Sequence, residues 1–145
     1  MQMELTYGHL LEKTAKKIKQ ELQKEINRLG FGITVDQWVL LLELYENGTM
    51  AQVELAERSF KDAPTITRIL EILLQKGHVV KVACDDDRRK FLVKLSPKGH
   101  KLVEDMLPHL VVFRRNGWNG LTMKDWEELQ RILHTVFANF NNGSK

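Results

Sequence analysis

One cysteine and three prolines are all that the 145 residues contain of either type. A lone thiol, Cys84, closes no intramolecular disulfide and offers no zinc-finger spacing, so the chain reads as intracellular and without a metal framework. Long apolar runs are missing too: "WVLLL" and "LVVF" are far too short to span a bilayer. The N-terminal "MQMELTYGHLLEKTAKK" mixes acids with its apolar residues and lacks the core of a signal peptide. A cytoplasmic protein with no membrane partner is expected. There is no GxSxG, P-loop or HExxH, and no nucleophile is placed beside a base, so neither an enzyme nor a cofactor is indicated. His9, His78, His100, His109 and His134 show no close ligand spacing on one helix, and no metal site is expected.

The 43% of hydrophobic residues is enough to bury a core, and the length suits a single domain over residues 1–145. A net charge of +3 permits an anionic partner, and its distribution says more. Between Arg58 and Lys101 stand 11 Lys+Arg against 5 Asp+Glu, a net +6, which leaves −3 for the rest of the chain. The positive field is concentrated in the middle.

Leu11, Ala15, Ile18, Leu22 and Leu29 form the stripe of a long amphipathic helix, ended by Gly30 and Gly32. "TVDQWVLLLELYENG" predicts a second helix, with Thr34 or Asp36 as N-cap and Gly48 as its stop. A short helix follows in "MAQVELAERS". The most regular segment is "KDAPTITRILEILLQKGHV": Asp62 is placed to cap, Pro64 sits in the first turn, Ile66, Ile69, Leu70 and Leu73 make one apolar stripe, and Gly77 closes it. The period then changes to two, with Val80 and Val82 before "CDDDRRK" and Phe91, Val93 and Leu95 after it, as in a β-hairpin. Helical spacing resumes at Leu102, Met106, Leu110 and Phe113, and a last helix carries Trp126, Leu129, Leu133, Val136 and Phe140. The predicted fold is mainly α with a small β-hairpin wing. Residues 34–99 are expected to form a winged helix-turn-helix lobe, and the seams on the helices over 3–29 and 97–140 suggest helices that pack on each other or on a partner subunit.

In a helix-turn-helix the second helix lies in the major groove, so its front must be polar and slim near the N-terminus while its back holds to the core. Pro64, Thr65, Thr67 and Arg68 occupy that front. A hydroxyl there suits a phosphate or a base edge, a threonine methyl suits thymine, and Arg68 suits guanine or phosphate, although the same residues also serve as ordinary cap and surface positions. The hairpin tip presents Arg88, Arg89 and Lys90, which can reach the flanking minor groove or backbone and release condensed counterions. The carboxylates before them need a local role. Asp87 can aim a neighbouring guanidinium through a bidentate bond, and Asp85 and Asp86 favour the chain reversal, the alternative being a solvated turn with a loose ion pair.

Taken together, "QVELAERSFKDAPTITRILEILLQKGHV" resembles the stretch of the MarR family of bacterial transcriptional regulators that runs from an "ELA" helix through a "TVTR" recognition helix. "DRRKFLVKLSPKGHKL" resembles that family's wing signature, an Asp-x-Arg followed by alternating apolar residues and "LT..G", and the spacing from Gly77 to Asp87 matches without a gap. The resemblance implies a homodimer whose first and last two helices form a shared platform, and two winged lobes that read a palindromic operator in double-stranded DNA. It implies Arg89 as the arginine reaching the minor groove with Asp87 as its support, and Pro64, Thr65, Thr67 and Arg68 as recognition-helix contacts. It also implies a repressor that releases DNA when an anionic aromatic compound, a metal or an oxidant acts on it. The first wing strand departs from the family, reading "VVKVACDDD" where more arginine and a proline are usual, which predicts a weaker wing. No cysteine near the N-terminus matches the peroxide-sensing branch.

The family's effectors bind between platform and lobe, and Trp38, Leu107, His109, Phe113 and Trp118 are the first residues to probe there, although aromatics at helical spacing also serve as plain core. Cys84, at the base of the wing, is a candidate redox switch on which two neighbouring cations and three carboxylates act in opposite directions. Two other readings share this sequence: a winged-helix module that binds protein, and a small-molecule-binding protein that has no operator.

Overall fold

The computed structural model describes residues 3–84 and 91–143. Its elements are α1 (Met3–Leu29), α2 (Val35–Asn47), β1 (Met50–Ala51), α3 (Gln52–Ser59), α4 (Ala63–Gln75), β2 (Val79–Ala83), β3 (Phe91–Leu95), α5 (Pro97–Gly117) and α6 (Met123–Gly143). The chain divides into two compact units, residues 1–108 and 109–145.

In the first unit, Thr34 is the N-cap of α2. Its hydroxyl accepts from the Gln37 N–H at 3.1 Å, and the Gln37 side chain accepts from the Thr34 N–H at 3.2 Å, a reciprocal box that satisfies two otherwise orphaned donors. Asp36, the other candidate cap, is turned to a different use described below. Trp38, Leu40, Leu41 and Leu44 of α2 are buried together with Leu55 of α3, Ile66, Leu70 and Leu73 of α4, and Val103 and Met106 of α5. Only the C-terminal part of α1 joins this core: Leu22 and Ile26 are buried, whereas Leu11 and Ile18 of the same predicted stripe are exposed.

The sheet has the order β1-β3-β2, so the predicted hairpin carries a third strand that a two-residue segment without periodicity could not announce. In the β2–β3 register Val79 faces Leu95, Lys81 faces Val93, and Ala83 faces Phe91. Directly opposed residues share a face, so Val79 and Val93, both buried, mark the core side. Val80 and Val82 therefore lie on the other side, opposite Lys94 and Leu92.

The end of α4, the base of the wing and the start of α5 meet at one junction. Gly77 turns with φ +77°, the Ser96 hydroxyl donates to its carbonyl and accepts from the Gly99 N–H, and the Ser96 N–H donates to the His78 carbonyl at 3.0 Å. Lys98 donates to the Lys76 carbonyl at 2.7 Å, satisfying a group at the negative end of α4, and Lys76 reaches the Gly32 carbonyl at 2.8 Å. His78 is buried here. Burial first, and then Lys98 and Lys76, push its pKa below the usual imidazole range, so the ring is held uncharged. Backbones approach closely at this point: a β-carbon on Gly99 would lie 2.0 Å from the His78 carbonyl oxygen.

The second unit contains the C-terminal half of α5 and all of α6. Thr122 caps α6, its hydroxyl accepting from the Asp125 N–H at 3.1 Å while Asp125 accepts from the Thr122 N–H at 2.8 Å. The Trp118 indole N–H donates to the Thr122 carbonyl at 3.1 Å, and the Trp118 and Trp126 rings meet edge to face with centroids 6.0 Å apart. Among the described residues no helix is long and apolar enough to cross a membrane.

The two glycine environments give opposite expectations. Gly99→Ala must displace backbone and should cost about 2 kcal/mol or more in urea unfolding. Gly8→Ala, in open space on α1, should be neutral or stabilise by up to about 1 kcal/mol.

Candidate nucleic-acid interface

α4 is positioned from both sides of its axis. Ile66, Ile69, Leu70 and Leu73 are buried, whereas Pro64, Thr67 and Arg68 are exposed and Thr65 is half-buried. The N-terminus is fixed by Asp62, whose carboxylate accepts from the Thr65 N–H at 2.8 Å, and by Pro64 in the first turn, where a missing N–H costs nothing. Bonds from Thr65, through its side chain first and its backbone second, hold the Asp62 carboxyl below the usual carboxylate range, with Arg68 adding to the effect. The Thr67 hydroxyl donates back to the Ala63 carbonyl at 3.0 Å, which leaves its methyl and its acceptor lone pairs for a ligand. One Arg68 N–H donates to the Thr65 hydroxyl at 3.3 Å, which holds the guanidinium along the first turn and leaves other N–H groups free to act. Pro64, Thr67 and Arg68 thus stand on the exposed side of α4, with Thr65 half-buried beside them.

Several positioning residues escaped the sequence reading. Lys61, directly before the α4 cap, and Lys19 of α1 both donate to one oxygen of Asp36, at 2.8 and 2.9 Å. Burial alone would raise the Asp36 pKa, but the two lysine bonds outweigh it and lower it. Sequence distances of 25 and 17 residues gave no local signal for this node. Arg58 of α3 is likewise held, by Glu43 of α2 at 2.9 Å. The turn between α3 and α4 passes through Phe60, whose φ of +54° is left-handed and whose ring is 84% exposed. An apolar residue in a polar turn was the only hint in the sequence.

On the wing, the Lys81 ammonium stands 4.6 Å from the centroid of the exposed Phe91 ring, a cation–π pair across β2 and β3. Asp87, Arg88, Arg89 and Lys90 lie outside the described residues. Cys84 is half-buried at the end of β2 and is a free thiol. Among the described residues no group of three or more His, Cys, Asp or Glu could hold a metal. Of the effector candidates, Trp38 and Leu107 belong to the first unit and His109, Phe113 and Trp118 to the second. Trp38 is 1% exposed, with its indole N–H unpaired among the described residues. Leu107, Phe113 and Trp118 are half-buried and His109 is exposed.

Two helices joined by a tight turn, the second capped, polar in front and anchored behind, with an antiparallel hairpin beside them, define a winged helix-turn-helix. The MarR family model matches residues 33–91, from the start of α2 to the second wing strand. The organic hydroperoxide resistance transcriptional regulator of Bacillus subtilis (strain 168) is 23% identical over 140 residues, covering 95% of this chain and 89% of that protein. Among solved structures, a cysteine-to-serine mutant of MarR from E. coli complexed with operator DNA is 26% identical with a TM-score of 0.79, covering 89% of this chain and 91% of the other. BpsR of Bordetella bronchiseptica, whose DNA binding is regulated by 6-hydroxynicotinic acid, is 26% identical with a TM-score of 0.80, covering 89% and 96%. Over its winged lobe the chain is thus similar to the MarR family.

Asp62→Ala should lower the thermal midpoint near neutral pH by removing the α4 cap. A carboxylate with a depressed folded-state pKa stabilises above its unfolded value of about 3.9 and loses that contribution as it protonates. The gap between variant and parent should therefore close as melts are taken further into acid, and a gap independent of pH would show that the charged form is not what caps the helix.

Proposed function

We propose that this chain is a transcriptional regulator that binds a palindromic operator in double-stranded DNA as a homodimer, most simply as a repressor released by a small effector. The observation that carries the reading is the division of α4 into a buried apolar back and an exposed front of Pro64, Thr67 and Arg68, with a cap that fixes its first turn. That is the surface a major groove about 12 Å wide accepts. The basic stretch from Arg58 to Lys101 supplies the field that draws in a polyanion. The E. coli relative bound to operator DNA supports the same use of this lobe.

In this reading Thr65, Thr67 and Arg68 face base edges or phosphates, Pro64 packs close to the groove wall, and Arg88, Arg89 and Lys90 neutralise the flanking backbone with Asp87 orienting one guanidinium. The homodimer is supported by the large apolar side chains left exposed on the first and last helices. Leu10, Leu11 and Ile18 on α1, and Trp126, Ile132, Phe137 and Phe140 on α6, are exposed, and large apolar side chains gathered on a helix favour a partner surface over water. Residues 34–99 then act as the reading lobe, and helices over 3–29 and 97–140 as the platform. The regulation of BpsR by 6-hydroxynicotinic acid supports an anionic aromatic effector class, for which Trp38, Leu107, His109, Phe113 and Trp118 are the residues to vary first. No catalytic step enters this account, and the relatives are themselves named as transcriptional regulators.

Selection of bound sites from a random duplex library tests the reading directly. A two-fold symmetric consensus with half-sites about 34 Å apart, or a multiple of that, is expected; no enrichment at low salt would refute it. Arg89→Ala should weaken binding to the selected site and reduce the slope of log affinity against log salt by about one contact, with the dimer intact in sedimentation. Arg68→Ala should reduce the preference for the selected site over random duplex by about 1–3 kcal/mol in competition binding. Unchanged preference would make Arg68 a phosphate or surface residue.

A further inference from the structure

The chain passes from α1 into α2 over very little backbone. The Gly30 and Phe31 N–H groups still bond back to the Ile26 carbonyl, and Thr34 already caps α2, so Gly32 and Ile33 are what lies between. Gly32 is left-handed, with φ +69°, and no atom stands within 4 Å of where its β-carbon would be. A glycine in open space is the least constrained backbone a chain can have. Between a long helix and a folded lobe, that is where a hinge would form.

The linker is held from both sides. The half-buried Gln23 side chain of α1 donates to the Ile33 carbonyl at 3.1 Å and accepts from the Val35 N–H at 2.9 Å, pairing with the backbone as a neighbouring strand would. Lys76, at the end of α4, donates to the Gly32 carbonyl at 2.8 Å. Both carbonyls between the two helices are therefore committed to side chains, one from α1 and one from α4. The Lys19–Asp36 ion pair also joins α1 to α2, but it is exposed and salt screens it. The Gln23 bonds to the linker are uncharged and partly buried.

Slack at this point would be magnified at the reading surface. Lys76 lies against the linker, whereas Thr65 stands eleven residues earlier on the same helix, about 16 Å away along its axis. A tilt of about 12° about the linker carries that first turn by about 3.4 Å, the rise of one base pair. In a dimer the slack of two lobes adds.

We propose that Gln23 is a positioning residue for operator binding: by tying Ile33 and Val35 to α1 it fixes the tilt of the reading lobe, and so sets how strictly the dimer demands one spacing between half-sites. The inference rests on the operator-binding reading, in which α1 belongs to the platform, and adds to it a determinant of specificity that touches no DNA.

The test uses the full-length protein and duplexes that carry the two selected half-sites at the selected spacing and at one or two base pairs more or less, with a single half-site as reference. Each added base pair also turns one half-site by about 35°, so the wild type should prefer the selected spacing by about tenfold or more. Gln23→Met fills a similar volume without either bond to the linker. The fraction of its dimers already at the selected spacing should fall, and the apparent affinity for that duplex with it, while neighbouring spacings hold or gain. The expected result is a spacing preference of about threefold or less, with single half-site affinity unchanged and the dimer intact in sedimentation. Gln23→Glu keeps the bond from the Val35 N–H and loses the one to the Ile33 carbonyl; it should fall between the two proteins, and it carries the test if Gln23→Met does not fold. A folded Gln23→Met dimer with the wild type's preference would overturn the inference and leave the operator reading standing, as would a wild type indifferent to spacing. Equal weakening at every spacing and on the single half-site, or failure of both variants to form the folded dimer, would assign Gln23 to the fold and overturn it too. A wild-type protein that binds no duplex would overturn both.

Discussion

Everything that makes this chain useful as a reader of a long polymer depends on how α4 is anchored. Ile66, Ile69, Leu70 and Leu73 are buried where α4 packs on α2, α3 and β2, and burial of that kind is worth about 1.5–3 kcal/mol for each large aliphatic side chain. The stripe fixes the rotation of the helix about its own axis, and Asp62 fixes where the helix begins. With those two variables set, Pro64, Thr67 and Arg68 have no direction left but outward. The polar front is a consequence of the apolar back.

A second constraint ties the helix to its neighbours. Ser96 bonds at once to the Gly77 carbonyl, the His78 carbonyl and the Gly99 N–H, so that one residue links the end of α4, the first wing strand and the first turn of α5. The absence of a side chain at Gly99 is what allows the strand backbone to lie against that turn. Lys98 and Lys76 add bonds to backbone carbonyls on either side, and the same two ammonium groups help keep the buried His78 ring uncharged. Movement of the wing base relative to the recognition helix would have to break this set together. The two reading elements are accordingly held as one body within the lobe.

Much of this was legible in the sequence, and the reasons differ by residue. The α4 boundaries, its cap and its buried stripe are local features: Asp62, Pro64, the apolar residues at helical spacing and Gly77 all lie within one turn of what they determine. The long first helix was also legible as a helix, but its packing was not. Periodicity reports that Leu11 and Ile18 share a face with Leu22 without saying that the lobe covers only the C-terminal end of that face. β1 was too short to have a period, and the register that sends Val80 and Val82 away from the core depends on the partner strand. The contacts missed altogether are those between residues distant in sequence, Asp36 with Lys19 and Lys61 above all. A carboxylate near a helix start looks like a cap until the fold shows which cations reach it. At the wing tip, Asp87, Arg88, Arg89 and Lys90 rest on their sequence alone.

The Asp36 node also bears on how such a protein would travel. Two ammonium groups sharing one carboxylate leave the node with a single net positive charge, half of what Lys19 and Lys61 would present unpaired. For a molecule that must sample many wrong sequences before it meets the right one, a smaller net charge there means a weaker sequence-independent grip. A single aspartate thereby lowers the part of the attraction that any duplex would feel.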